Sequence, residues 1–433
     1  MSLKKVSLLA AAAVSLAAFG CSGAPDASSS QGEVRSELQR NTSPDVTVAE
    51  KAELVTDQTA FAIDFYKHFA KSQTGNVVVS PHSIASALAM TYAGALGDTQ
   101  KEMGAALHFG LGPDRVHPAF NWMDLELASR GNGAKAKDGT PQRIAVNNAL
   151  FGEKTLHFEK PFLDTLALNY GAGMNTVDFK SAPDAARLGI NSWVKDKTEG
   201  KIENLLKEGA IESSSRLVLV NTVYLSAAWD SKFEKTLTHD NAFTTADGAS
   251  TSVATMHQTA GYASEISDSE TAVELPYESG DLAMLFVMPT SGSIDAYESA
   301  LTAKTVGDIS ARLEGGVVQL SLPKFKLAPE TVKLSKELEA LGMGRAFSGA
   351  ADFGGITKDE PLQIAEVHHK AFIDLDEDGT EAAAATAVEV KAGSASNPEK
   401  LRKVTLDHPF LFLLRDHKTG QILFMGRVAN PKG

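Results

Sequence analysis

The residues with the most chemical potential lie together near the C-terminal end, where Asp374, Asp376, Glu377 and Asp378 precede Gly379. Oxygen side chains at positions one, three and five with Gly at six match the first half of a calcium-binding loop. Such a loop closes on a bidentate Glu at position twelve, and here that position is Ala385. No metal and no cofactor are therefore expected. Nucleophile chemistry fares no better. Neither G-x-S-x-G nor H-E-x-x-H occurs, and Lys418-Thr419-Gly420 lacks the Ser-Asp-Asn element that accompanies K-T-G in penicillin-recognising enzymes. No enzyme is expected.

The stretch after these acids contradicts its own propensity. Ala-rich Thr380 to Ala387 favours a helix. Yet every second residue from Thr380 is small or β-branched (Thr380, Ala382, Ala384, Thr386, Val388, Val390), while Glu381, Glu389 and Lys391 fall in the other set. That alternation fits a half-buried strand. An exposed Ala-rich helix or loop and a strand able to slide between two others both remain open, and a segment with two conformations is what a switch needs.

The one cysteine, Cys21, ends a leader. Lys4 and Lys5 precede an apolar run from Val6 to Gly20, so residues 1–20 read as a signal peptide and the chain as secreted across the inner membrane. Ala18-Phe19-Gly20-Cys21 resembles a bacterial lipoprotein cleavage site, with Cys21 as the lipidated residue, although Leu is usual where Ala18 stands. Ordinary secretory cleavage nearby is the alternative. By the same resemblance Ser22 suits outer-membrane sorting, which gives a cell-envelope or surface location and membrane contact through the lipid alone. Residues 21–51 are rich in Ser, Asp, Glu and Gln and read as a lipidated Cys on a flexible tether.

The elements that must position the acidic and Ala-rich stretch follow from periodicity. Phe61, Phe65 and Phe69 mark one face of a helix from Leu54 to Ala70, and Ser80-Pro81 starts another over Ser83 to Ala95. Apolar strand-like runs occupy Leu217–Leu225, Leu282–Met288, Val317–Leu322, Phe410–Leu414 and Ile422–Val428, the last two flanking a short Gly-containing loop. Helices early and strands late, with no second linker, indicate one large α+β domain over residues 52–433. The net charge of −13 and the lack of a dense Lys/Arg run argue against a nucleic-acid partner.

With these features in place, the chain resembles the serpin family from about residue 52 to Gly433. VHHKAFIDLDEDGTEAAAATA (367–387) carries the Glu-x-Gly-Thr-x-Ala-Ala hinge pattern at Glu377 to Ala383. NVVVSPHSIASALAM (76–90), INSWVKDKTEGKI (190–202), LVNTVYLSAAW (219–229) and DHPFLFLLRDHKTGQILFMGRVANP (407–431) match further family segments in the expected order. The resemblance implies a serpin fold of three β-sheets and about nine helices, a monomer, and an exposed reactive loop at about 379–403. It implies a suicide inhibitor of serine, or alternatively cysteine, proteases. The protease attacks the loop, and the cleaved loop then inserts into the central sheet before the acyl-enzyme is hydrolysed. Each new ladder hydrogen bond is worth roughly 0.5–1.5 kcal/mol, so insertion releases on the order of 10 kcal/mol. A non-inhibitory binding or chaperone module is the alternative; the small inward hinge face of Thr380, Ala382, Ala384 and Thr386 favours an inhibitor.

By the same resemblance Ser80, Ser83, Asn221 and His369 form a polar cluster under the sheet centre, and Trp229 stands at the sheet top. Lys324 faces Glu377 at the hinge. The usual interval from Glu377 places the reactive bond at Gly393–Ser394, whose small neighbours suit an elastase-like or subtilisin-like target. The stretch from Gly393 to Pro409 is longer than is usual, so the bond falls anywhere within 391–397, and cleavage after Lys391 would indicate a trypsin-like target. Lys400, Arg402 and Lys403 are expected as solvated rim residues.

Overall fold

The computed structural model describes residues 32–130, 132–134, 139, 142–380 and 401–433. Its helices are α1 (Val48–Lys71), α2 (Pro81–Tyr92), α3 (Gly97–Ala106), α4 (Gly112–Ala128), α5 (Lys160–Tyr170), α6 (Pro183–Lys197), α7 (Ile294–Ala300), α8 (Ala303–Arg312) and α9 (Ser335–Leu338). Local chemistry sets where they begin. Thr47 and Glu50 form a capping box at α1, satisfying backbone N–H groups that the first turn leaves free. Ser80 caps α2, with Pro81 in its first turn, where a missing N–H costs nothing. Phe61, Phe65 and Phe69 pack along one buried face of α1, with ring centroids 5.7 and 6.0 Å apart.

The strands are β1 (Gly32–Val34), β2 (Val77–Val79), β3 (Arg143–Glu153), β4 (Met174–Val177), β5 (Leu217–Ala228), β6 (His239–Thr244), β7 (Ser250–Ile266), β8 (Glu270–Pro276), β9 (Leu282–Pro289), β10 (Glu314–Pro323), β11 (Phe325–Leu327), β12 (Val332–Lys333), β13 (Glu366–Asp376), β14 (Gly379–Thr380), β15 (Arg402–Thr405), β16 (Phe410–Asp416) and β17 (Ile422–Val428). One sheet runs β1-β4-β3-β5-β14-β13-β11, with β12 beside β13. The other runs β15-β10-β7-β8-β9-β16-β17-β2, with β6 beside β7. The three expected sheets thus appear as two hydrogen-bonded ladders, because the 17-residue β7 pairs with β6 at its start and with β8 at its end.

The first sheet is buried on both faces. Phe151, Val218 and Val220 pack with Ile190 and Val194 of α6, whereas Leu217, Leu219 and Val223 face the larger core shared with α1, α2 and the second sheet. A buried ion pair, Arg130 with Asp416 at 2.6 Å, ties the end of α4 to the final hairpin.

One expectation is corrected here. Residues 32–47, read as part of the tether, lie against the domain. Gly32–Val34 extend the sheet beyond β4, and Arg40 donates to Asn121 (2.9 Å) and Asp124 (2.5 Å). Arg35 donates to the Gly171 carbonyl, and the Asn41 N–H to that of Leu168. A polar segment orders without its own core when a sheet edge and fixed polar partners accept its backbone and side chains. The signal peptide, Cys21 and residues 22–31 lie outside the described residues.

Candidate functional site

The first sheet is unfinished at one end. β5 and β13 pair directly and in parallel from Glu366↔Val218 to Phe372↔Tyr224. Above that, β14 enters between them, antiparallel to both, with Thr380 opposite Ala227 on one side and Leu375 on the other. Two residues after the hinge acids therefore already sit where a full strand could follow.

Gly379 makes this insertion possible. Its φ is +145°, and a Cβ there would lie 2.2 Å from the Ala227 carbonyl oxygen. Only a residue without a side chain lets the backbone cross so close to β5. Thr380 is fully buried and shares a 2.6 Å hydrogen bond with the Tyr277 hydroxyl. Tyr277 stacks on Trp229 at 4.6 Å, and the Trp229 indole N–H donates to the Asp376 carbonyl at 3.0 Å. The two aromatic rings thus hold both sides of the turn from β13 into β14.

Two acids of the calcium-like pattern, Asp374 and Asp378, and the neighbouring Glu377 meet lysines. Lys326 contacts Asp374 at 3.0 Å, Lys235 contacts Asp378 at 2.7 Å, and Lys324 contacts Glu377 at 2.7 Å. The Thr238 hydroxyl also donates to Glu377. Burial works against the ionised Glu377 carboxyl, but Lys324 and Thr238 more than offset it and hold its pKa below the usual value. Asp374 belongs to β13, whereas Glu377 and Asp378 lie in the turn between β13 and β14, so the three carboxylates reach separate ammonium groups.

Lower in the sheet, Asn148, Asn221 and His369 stand in one lateral row across β3, β5 and β13. All three point toward α2. Asn221 donates to Ser83 Oγ at 2.5 Å and to Asn148 Oδ1 at 2.6 Å. The His369 Nδ1–H donates to Asn221 Oδ1, leaving Nε2 to accept the Ser80 N–H at 3.3 Å. Ser80 Oγ donates to the Leu423 carbonyl at 2.6 Å. Complete burial holds the His369 pKa down at about 3, so the ring is neutral. Separating β5 from β13 would break the Asn221–His369 bond and the ladder beside it, while Ser83, Asn221 and Asn148 stay together. The row ties β5 to β13 along the seam where the two strands pair directly.

The structure thus brings Ser80, Ser83, Asn221 and His369 together, and Trp229, Lys324, Glu377, Gly379 and Thr380 together. Ala382, Ala384, Thr386 and the Gly393–Ser394 bond lie outside the described residues. Asn148, Tyr277 and Lys235 were not anticipated. Asn148 was visible as a polar interruption in the β3 run, but the other two carry no local signal. Arg402 corrects the expectation of a solvated rim: it donates to Ser264 Oγ (3.3 Å), to the carbonyls of Ser264 and Glu314 (both 2.8 Å), and to the Glu314 carboxylate. Parallel pairing of β15 with β10 puts it there, so it clamps β15 onto β10 and β7. Lys403 is exposed.

Comparison with known proteins matches residues 56–431 to the family model "Serpin (serine protease inhibitor)". A leukocyte elastase inhibitor from Sus scrofa is 36% identical over 391 residues, covering 88% of this chain and 100% of that protein. A serpin-like protein from Thermococcus kodakarensis is also 36% identical, covering 86% of this chain and 84% of that one. Among solved structures, native tengpin, a thermophilic serpin, superposes with a TM-score of 0.82 at 27% identity, over 92% of this chain and 99% of that chain. Native protease nexin-1 with heparin gives 0.77 at 29%, over 88% and 100%.

Proposed function

Because this chain belongs to the serpin family, we propose that it is a suicide inhibitor of serine proteases that traps them as acyl-enzymes by inserting its cleaved loop between β5 and β13. One observation carries the reading: these strands are paired directly below a two-residue strand that has already started down the gap. Continuing that strand adds hydrogen bonds on both sides. Each is worth roughly 0.5–1.5 kcal/mol, which supplies the driving force. The work against it is parting the Asn221–His369 latch.

The target is an elastase-like or subtilisin-like enzyme, from the small residues around Gly393–Ser394; the relatedness to leukocyte elastase inhibitors supports an elastase-like one. The protein acts as a monomer held to the cell envelope by a lipid on Cys21. Cys21→Ser should leave the membrane fraction, and wild-type protein found only in the soluble fraction would remove the anchor from this reading.

The test mixes mature protein with elastase-like, subtilisin-like and trypsin-like proteases on a denaturing gel, with mass spectrometry of the released C-terminal peptide. A complex surviving denaturation is expected, with the peptide beginning at Ser394. Clean cleavage without complex by all three would favour a non-inhibitory binding role.

A further inference from the structure

The strand registers fix which end of the sheet the tether leaves from. Gly32 of β1 faces Thr176 of β4, Thr176 faces Gly152 of β3, and Gly152 faces Leu217, the first residue of β5. β1 runs antiparallel to β4 and so climbs from this level, which makes Gly32 its lowest residue and puts the point where the chain enters the sheet at the base. The hinge is at the other end, with Gly379 opposite Ala228, the last residue of β5. At about 3.3 Å per residue these levels are about 36 Å apart.

β14 points down the gap, with Thr380 opposite Ala227. Kept in register, each further residue drops one step on β5, so Val390 reaches Leu217 and Gly393 lies just past it. That is the level of Gly32. We propose that the pole holding the tether is also the pole that receives the trapped protease. An anchored molecule then offers its loop away from the lipid surface and finishes with the protease packed between its own base and that surface. The clearance is small. Cys21 to Gly32 is eleven residue steps, reaching at most about 40 Å when fully extended. A protease of 250 residues is about 45 Å across.

The inference rests on the insertion mechanism proposed above and, for the lipid surface only, on the anchor. Cys21 is the single cysteine, so a chain produced from Cys21 onward without the leader, and therefore unlipidated, can be labelled there without mutation. A donor dye on Cys21 and an acceptor on an elastase-like protease are compared in two complexes. One is the encounter complex with a protease whose nucleophilic Ser is replaced by Ala, and the other is the covalent complex. Energy transfer at least twofold higher in the covalent complex is expected. Equal or lower transfer overturns the shared pole while leaving inhibition intact. Failure to form any covalent complex instead overturns the mechanism, and this inference with it. For the surface, Cys21 is coupled to a maleimide lipid in phosphatidylcholine vesicles, with and without twenty Gly/Ser residues inserted after it. The longer tether should raise the yield of covalent complex, and equal yields would refute crowding at the anchored pole.

Discussion

Thr380→Arg tests the insertion mechanism at the residue where insertion begins. Thr380 is fully buried between β5 and β13 and hydrogen-bonded to Tyr277. The substitution removes that bond, worth about 0.5–1.5 kcal/mol. It also requires a guanidinium to enter the sheet without a counter-ion, a cost of several kcal/mol even after relaxation. In the uncleaved protein the side chain can escape by lifting β14 out, since among the described residues two, Gly379 and Thr380, are paired there. During insertion it cannot, because the strand must pass through that position. If about 3 kcal/mol falls on the insertion barrier, insertion slows about 10²-fold. Deacylation then wins, and the inhibitor becomes a substrate. The assay is the ratio of covalent complex to cleaved protein on a denaturing gel across a titration of protease. Thr380→Val, which keeps shape and apolarity, should retain most of the complex and serves as the folding control. Full complex formation by Thr380→Arg would refute insertion through this gap.

The remaining expectations concern buried charge. Burial holds His369 near 3 and His82, His117 and His368 near 4, against 6.5 in an unfolded chain. Below pH 6.5 the unfolded chain therefore binds protons that the fold refuses, so stability is full above that pH and falls toward pH 4. Thermal melts at pH 7 and 5 should show a Tm several degrees lower at pH 5, and an unchanged Tm would contradict neutral buried histidines. Asp416→Ala strands the buried Arg130, which keeps Glu126 at 3.1 Å, and should cost about 3 kcal/mol by urea unfolding. A double-mutant cycle of Lys324→Met and Glu377→Gln should give a coupling of about 1 kcal/mol, since the lysine is partly solvated. Zero coupling would mean that Thr238 alone anchors Glu377.

Several of these parts were legible in the chain because they are local. The Phe61, Phe65 and Phe69 spacing marks a helix, and the period of two from Thr380 marks a strand face, each within a few turns or pleats. What stayed hidden depends on register between distant strands. Asn147 and Asn148 look equivalent in sequence; only the pairing of Asn148 with Asn221 decides which one faces α2. Tyr277 meets Thr380 across 103 residues, and no periodicity reports that. Arg402 sits among basic neighbours that look solvated, yet it is the parallel β10 strand that supplies Glu314. Composition misread residues 32–47 for a similar reason. A segment too polar to build a core can still borrow an edge from one already built.

The direct pairing of β5 with β13 also governs how the molecule ages. If a lower free-energy arrangement of the same chain exists, the working form persists because of the height of a barrier and not the depth of a well. Its shelf life is then a half-life. A calorimetric transition would move with scan rate, and a substitution that leaves every equilibrium contact intact could still shorten the molecule's service by lowering that barrier. Under the proposed mechanism, in which each molecule is spent after one encounter, the seam along His369 acts as a clock as much as a lock.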